Sequence, residues 1–489
     1  MALEDDIRQI VEQVLKSSDV AALLGDIQRG AAAGQDTARP GASSFLGHGI
    51  FTDIDSAVAA AAAAQRELVA LSLETRRRII AAMRATVLEA NESLAREAVA
   101  ETGLGNLRDK KTKNSLAARK TPGVEDVEPT AYSDEHGLTI MERAPYGVIG
   151  AITPVTNPLA TITSNSIGMI SAGNAVVFNV HPGAKGVSCR LVGMLNEAIT
   201  REGGPRNLLC AMAAPTIESA GELMKHKGVA LLVVTGGPGV VKAAMESGKK
   251  AICAGPGNPP VVVDATADLV KAGRDIVAGA GFDNNVVCTD EKEILAVENI
   301  ADQLKVEMRK NGAFELTGAQ AEAVTRVALP QATAVGPGKA SLPNKDLVGK
   351  DPLVIARAAG IDVPVDTRIL LMDVPSDHAM VWSEQLMPVI PLVRMRSVDE
   401  AIEFAVRVEH GFRHTASIHS HDIAKLSTMA KVMNCSLFVK NGPNYAGLGE
   451  GGSGYASFTI ASPTGEGMTR ARTFTRERRC TLVDYFRII

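Results

Sequence analysis

Three places in this 489-residue chain carry residue types that can do chemistry. Cys288 stands in the stretch "FDNNVVCTD" (282–290), behind a small polar turn and a valine pair. Such a thiol is either a packing residue or, as its thiolate, a nucleophile toward a carbonyl carbon. Asn157 stands in "TPVTNP" (153–158) just after an apolar run, so its amide either bonds its own turn or projects into a cleft. "VVTGGPGVV" (233–241), with Thr235, Gly236 and Gly237, reads as a strand, a glycine turn and a helix, an arrangement that offers backbone N–H groups to a phosphate. It lacks the third glycine of the dinucleotide fingerprint, and glycine turns also arise for purely structural reasons. His410, His414, His419 and His421 share no ligand spacing, and no metal is expected.

These residues need a scaffold, and the chain alternates regularly from Asp53 onward. Alanine-rich helices come first, the second opening at Ser72 with Glu74 and Thr75 in its first turn. The runs "YGVIGAI", "AVVFNV", "ALLVVTG", "AICAG" and "PPVVVD" predict short buried strands separated by helices. A second set, "TRILLMDV", "VIPLVRM", "TASIHS" and "CSLFVKN", follows after about residue 265. The expectation is an α/β protein with mostly parallel sheets in two domains, 50–264 and 265–445, then a return segment and tail at 446–489.

Composition narrows the function. A net charge of −4 and only 3% aromatic residues offer little to a nucleic acid. Six scattered cysteines, with no C-x-x-C pair, fit a reducing cytoplasm better than a disulfide framework. The apolar region 146–180 is broken by Pro154, Asn157, Pro158, Asn165 and Asn174, so no membrane span is expected. At the start, Leu3, Ile7, Ile10, Val11, Val14 and Leu15 recur at helical spacing against charged neighbours. Residues 1–18 therefore read as an amphipathic helix, and 19–49 as a flexible linker. The helix either folds back on the core or serves as a docking tag.

The ordered motifs "DKKTKNSLAARKTPGVEDV", "APYGVIGAITPVTNP", "AGNAVVFNVHPGAK", "GPGNPPVVVD", "FDNNVVCTDEKE" and "RRCTLVDYFRII" resemble the aldehyde dehydrogenase superfamily. Within it they resemble the CoA-acylating branch of bacterial microcompartments that process ethanolamine or 1,2-propanediol. The resemblance implies two Rossmann-type α/β domains plus a small oligomerisation β element, a hairpin at about 131–144 joined by the tail. It places Cys288 as nucleophile, Asn157 as oxyanion-stabilising amide, Glu384 of "SEQLMP" as nicotinamide-ribose ligand, and Thr235, Gly236 and Gly237 at the cofactor phosphate. His181 and Pro182 of "VHPG" stand where NAD-specific relatives carry a ribose-binding lysine, which fits a site shared in turn by NAD and coenzyme A. A dimer or tetramer, a short-chain aldehyde substrate and shell proteins recognised by residues 1–18 are implied partners, in a cytoplasmic microcompartment.

One departure bears on the product. Hydrolytic members carry a glutamate in a Glu-Leu-Gly-Gly motif as base for water, whereas "CAGPGNPP" has Ala254 in its place. A thiol ionises near pH of about 8.5 and water at about 15.7, so CoA needs far less help than water. A CoA-acylating enzyme is expected. The alternatives are a hydrolytic aldehyde dehydrogenase and, more remotely, a non-catalytic assembly protein.

Overall fold

The computed structural model describes residues 48–489. The amphipathic helix expected at 1–18 and nearly all of the linker expected at 19–49 lie outside the described residues.

Two parallel sheets dominate. The first has six strands in the order Ile50–Phe51, Leu209–Met212, Ala175–Val180, Val148–Thr153, Leu231–Thr235 and Ala251–Ala254. Chain order reverses between Val148–Thr153 and Leu231–Thr235, where Ile152 pairs with Val234. In open α/β sheets such a reversal parts the crossover helices beyond the carboxyl ends of the strands and leaves a crevice for a ligand. Asn157 and Gly237 follow those two strand ends.

The second sheet has seven strands, in the order Ala313–Glu315, Ile369–Asp373, Val389–Met395, Glu293–Val297, Pro260–Val263, Thr415–His419 and Leu437–Lys440. Pro260–Val263 therefore belongs here and not with the first set, so the passage between sheets falls between Ala254 and Pro260, ahead of the expected boundary at 264. Its pleat sends Val261 and Val263 into one apolar core and Val262 into another, which is why the strand reads as an unbroken apolar run.

Helix ends follow local chemistry. Asp53, Ser72 and Asn106 each accept a hydrogen bond from the first turn of the helix they precede, Ile54–Ala70, Leu73–Glu89 and Leu107–Lys120. After Pro443 the chain returns to the first sheet: Thr459 Oγ1 lies 3.0 Å from Thr235 Oγ1, and Thr464 Oγ1 accepts from Cys253 N at 3.0 Å. The strands Thr130–Asp134 and Gly137–Pro145 form a hairpin, and Thr475–Val483 pairs along the whole of the second strand. Among the described residues no helix is long and apolar enough to cross a membrane.

Candidate active site

Three local structures converge on one cavity of about 870 Å³. From the first sheet, Val148–Thr153 runs through a short loop to Asn157, which sits at φ −135° and ψ 51° ahead of helix Pro158–Ser171. Leu231–Thr235 enters Gly236-Gly237, and helix Pro238–Met245 begins with no side-chain cap on its first amides. A Cβ placed on Gly237 or Gly239 would meet no heavy atom within 4 Å, and among the described residues neither N–H makes a hydrogen bond. From the second sheet comes the segment between helix Leu269–Ala280 and strand Glu293–Val297, which carries Cys288. The cavity wall includes Cys288, Asn157, Thr235, Gly236, Gly237, His181, Pro182 and Glu384, every site residue singled out from the sequence.

The turn presenting Cys288 is unusual in its backbone. Asp283, Asn284 and Asn285 have φ of 45°, 56° and 61°, three consecutive left-handed residues. Asp and Asn tolerate this region best after glycine because their short polar side chains bond locally. Here they do so at longer range. Asn285 Nδ2 donates to Ala280 O and Glu291 O, both at 2.9 Å, and Asn284 Nδ2 donates to Gly349 O at 3.1 Å. Lys292, fully buried, donates to Asn285 Oδ1 at 2.7 Å and to Val287 O at 3.2 Å. Asp290 Oδ2 accepts from Val287 N at 3.2 Å. The segment leading into the nucleophile candidate is thus braced by the buried side chains of Lys292 and Asp290.

Of the six cysteines only Cys288 lines the cavity. Burial pushes its thiol up to about 12, and the nearby Glu384 carboxylate adds to the rise. Burial also brings Glu384 up to about 7, against the opposing pull of Lys292 and of the Gly257 N–H, which donates to Glu384 Oε1 at 3.2 Å. A Cβ at Gly257 would stand 2.9 Å from Cys288 O and 3.0 Å from His414 Cγ, so glycine is needed for this approach. His414 is held neutral, its value lowered to about 4 by burial. Its Nδ1 lies 2.8 Å from Thr415 Oγ1. Among the described residues no group of His, Cys, Asp and Glu could hold a metal ion.

Asn157 Oδ1 accepts from Lys113 Nζ at 2.6 Å, and Lys113 is ion-paired with Asp283. Neither Lys113 nor Asp283 was nominated from the sequence. The available signal was the spacing of Lys110 and Lys113, which lie on one face of helix Leu107–Lys120, and the Asp-Asn-Asn run.

The model of the aldehyde dehydrogenase family matches residues 48–336. The chain belongs to the aldehyde dehydrogenase family. Over 489 residues it is 49% identical to an acetylating acetaldehyde dehydrogenase of Bilophila wadsworthia, covering 99% of each chain. It is 46% identical to a CoA-propanoylating propanal dehydrogenase of Salmonella typhimurium, covering 90% of this chain and 94% of that one. A crystal structure of the Rhodopseudomonas palustris propionaldehyde dehydrogenase, with CoA bound and a cysteine acylated, superposes with a TM-score of 0.86 at 48% identity, covering 90% of this chain and 99% of that one. The fold, two parallel sheets with a small antiparallel element, is the family's.

Proposed function

We propose that this chain is a CoA-acylating aldehyde dehydrogenase, oxidising a short-chain aldehyde with NAD and CoA to acyl-CoA and NADH through a thioester on Cys288. The observation that carries the reading is Ala254, buried at the cavity wall at the end of strand Ala251–Ala254, in the place to which the motif resemblance assigns the water-activating glutamate of hydrolytic members. The acetylating and CoA-propanoylating relatives support it.

The residues fit a dinucleotide. The open amides at Gly237 suit a phosphate, and Ile217, Ala220, Met224 and Val240 offer apolar surface to an adenine. His181 Nδ1 accepts from Gly183 N at 3.0 Å, which leaves its Nε2 as an N–H donor toward a ribose hydroxyl. Glu384 is assigned to the nicotinamide ribose. Bound in this way, NAD supplies the hydride acceptor.

Sulfur attack on the aldehyde carbonyl creates an alkoxide. Asn157 Nδ2 and the Cys288 N–H, which makes no other hydrogen bond among the described residues, stabilise it. Among the described residues Glu384 is the one carboxylate on the wall, and it is the available acceptor for the thiol proton. With the thiol near 12 and the carboxyl near 7, that transfer costs several kcal/mol in the ligand-free chain, so the resting sulfur is neutral. Loss of hydride from the tetrahedral carbon leaves the thioester, and the CoA sulfur then displaces Cys288.

The test omits CoA. NADH should then form in a single burst, and mass spectrometry should find an acyl adduct persisting on Cys288. Rapid release of free carboxylic acid would favour the hydrolytic alternative; no burst at all would favour the assembly protein.

The exposed Tyr132 and Val483 on one face of the three-stranded element, and Ile140 and Leu482 on the other, fit surfaces covered by a further copy of the chain. The apolar spacing read from the sequence at residues 1–18 suits a tag for a groove on microcompartment shell proteins, because an apolar stripe of this kind is a common helix-in-groove anchor. Deleting 1–18 should leave CoA-dependent activity intact and abolish co-assembly with shell proteins. An unfolded or inactive truncation would return the helix to the enzyme's own core.

A further inference from the structure

Asn157 reaches the cavity wall from a position where its amide has two possible orientations, and only one of them turns N–H groups toward a substrate oxygen. The group 2.6 Å from the amide is Lys113 Nζ, and a lysine ammonium has three N–H donors and nothing that accepts. The atom facing it must be Oδ1. Nδ2 is then directed away from Lys113 and holds only a 3.3 Å contact to Thr156 Oγ1, so it keeps an N–H to spare. The same ammonium also polarises the amide, drawing electron density onto Oδ1 and strengthening Nδ2 as a donor.

Lys113 is itself fixed. Its side chain is 3% exposed and ion-paired with Asp283, which is 0% exposed and also bonded by Lys110 Nζ at 3.1 Å. Asp283 Oδ1 accepts from Asn106 N at 2.8 Å, and Asp283 N donates to Asp109 Oδ2 at 2.9 Å. Asp283 opens the left-handed run that leads to Cys288. One buried chain of bonds therefore ties the oxyanion donor to the turn that presents the nucleophile.

We infer that Lys113 is a positioning residue for acylation: it locks the Asn157 amide with Nδ2 toward the cavity and couples that orientation, through Asp283, to the Cys288 turn. The inference rests on the reading of Asn157 as oxyanion donor.

The test is a double-mutant cycle on the full-length enzyme, read as first-turnover NADH formation, with thermal unfolding and the KM for NAD measured alongside. Asn157→Ala is measured first. Lys113→Met should then slow the first turnover about 10- to 100-fold, the range for a displaced catalytic group, with the KM for NAD little changed. Added to Asn157→Ala it should cost much less than it does alone, because the amide it orients is gone and only its pairing with Asp283 is lost. Lys113→Gln is one methylene shorter but still carries an N–H donor for Oδ1, so it should recover part of the rate; it also carries the test if the methionine variant does not fold. A first turnover within about twofold of wild type in Lys113→Met, or losses that multiply in the double variant, would overturn the positioning role while leaving Asn157 in place. A near-normal Asn157→Ala enzyme would instead remove the oxyanion reading itself, and the inference with it.

Discussion

Replacing Cys288 by alanine is expected to abolish aldehyde-dependent NADH formation, with or without CoA, while the thermal unfolding midpoint stays near that of wild type. The loss should be complete because no other cysteine lines the cavity. Cys189, Cys210 and Cys253 are buried in the core, and burial holds their thiols at about 11, 12 and 11. The fold should survive because the turn is braced through Asn285, Lys292 and Asp290 and not through the sulfur. The measurement is a steady-state NADH assay with acetaldehyde and propionaldehyde, beside an unfolding scan. Turnover above a few per cent of wild type in a folded variant would remove Cys288 from the mechanism.

Asn157→Ala carries the second-largest expected effect, a fall in kcat of about 10²–10³, as for loss of one preorganised oxyanion donor in a water-poor site. The Cys288 N–H remains as the other donor, so activity should fall without vanishing. The substitution also takes the Oδ1 acceptor from Lys113, which keeps Asp283 and only the longer contact of 3.5 Å to Thr156 O. A stability loss of about 1–3 kcal/mol is expected from that unpaired donor. Assays well below the lowered unfolding temperature separate the two effects. A folded variant with near-normal kcat would show that the alkoxide is stabilised elsewhere.

The strands of both sheets were legible because a parallel strand covered on both faces is an uninterrupted apolar run, as in "AVVFNV" and "ALLVVTG". Which sheet a run joins is not written in its apolarity, and Pro260–Val263 was placed with the wrong neighbours for that reason. Glu293–Val297 went unseen because it follows Asp290, Glu291 and Lys292, charges that normally mark a solvated surface. All four charged residues from 290 to 293 are in fact fully buried. The candidate site residues were nominated through the family's motifs, and the structure gathers them at one cavity wall. Lys113 was hidden for a different reason: its partner Asp283 lies 170 positions away, and a charged pair buried across that distance leaves no local pattern.

The raised thiol has a consequence outside the catalytic cycle. Peroxides and other oxidants attack thiolates, and the neutral sulfur of the ligand-free site is a poor target for them. Burial together with Glu384 therefore favours the less readily oxidised form of Cys288 while the site is empty, the form least open to conversion to sulfenic acid.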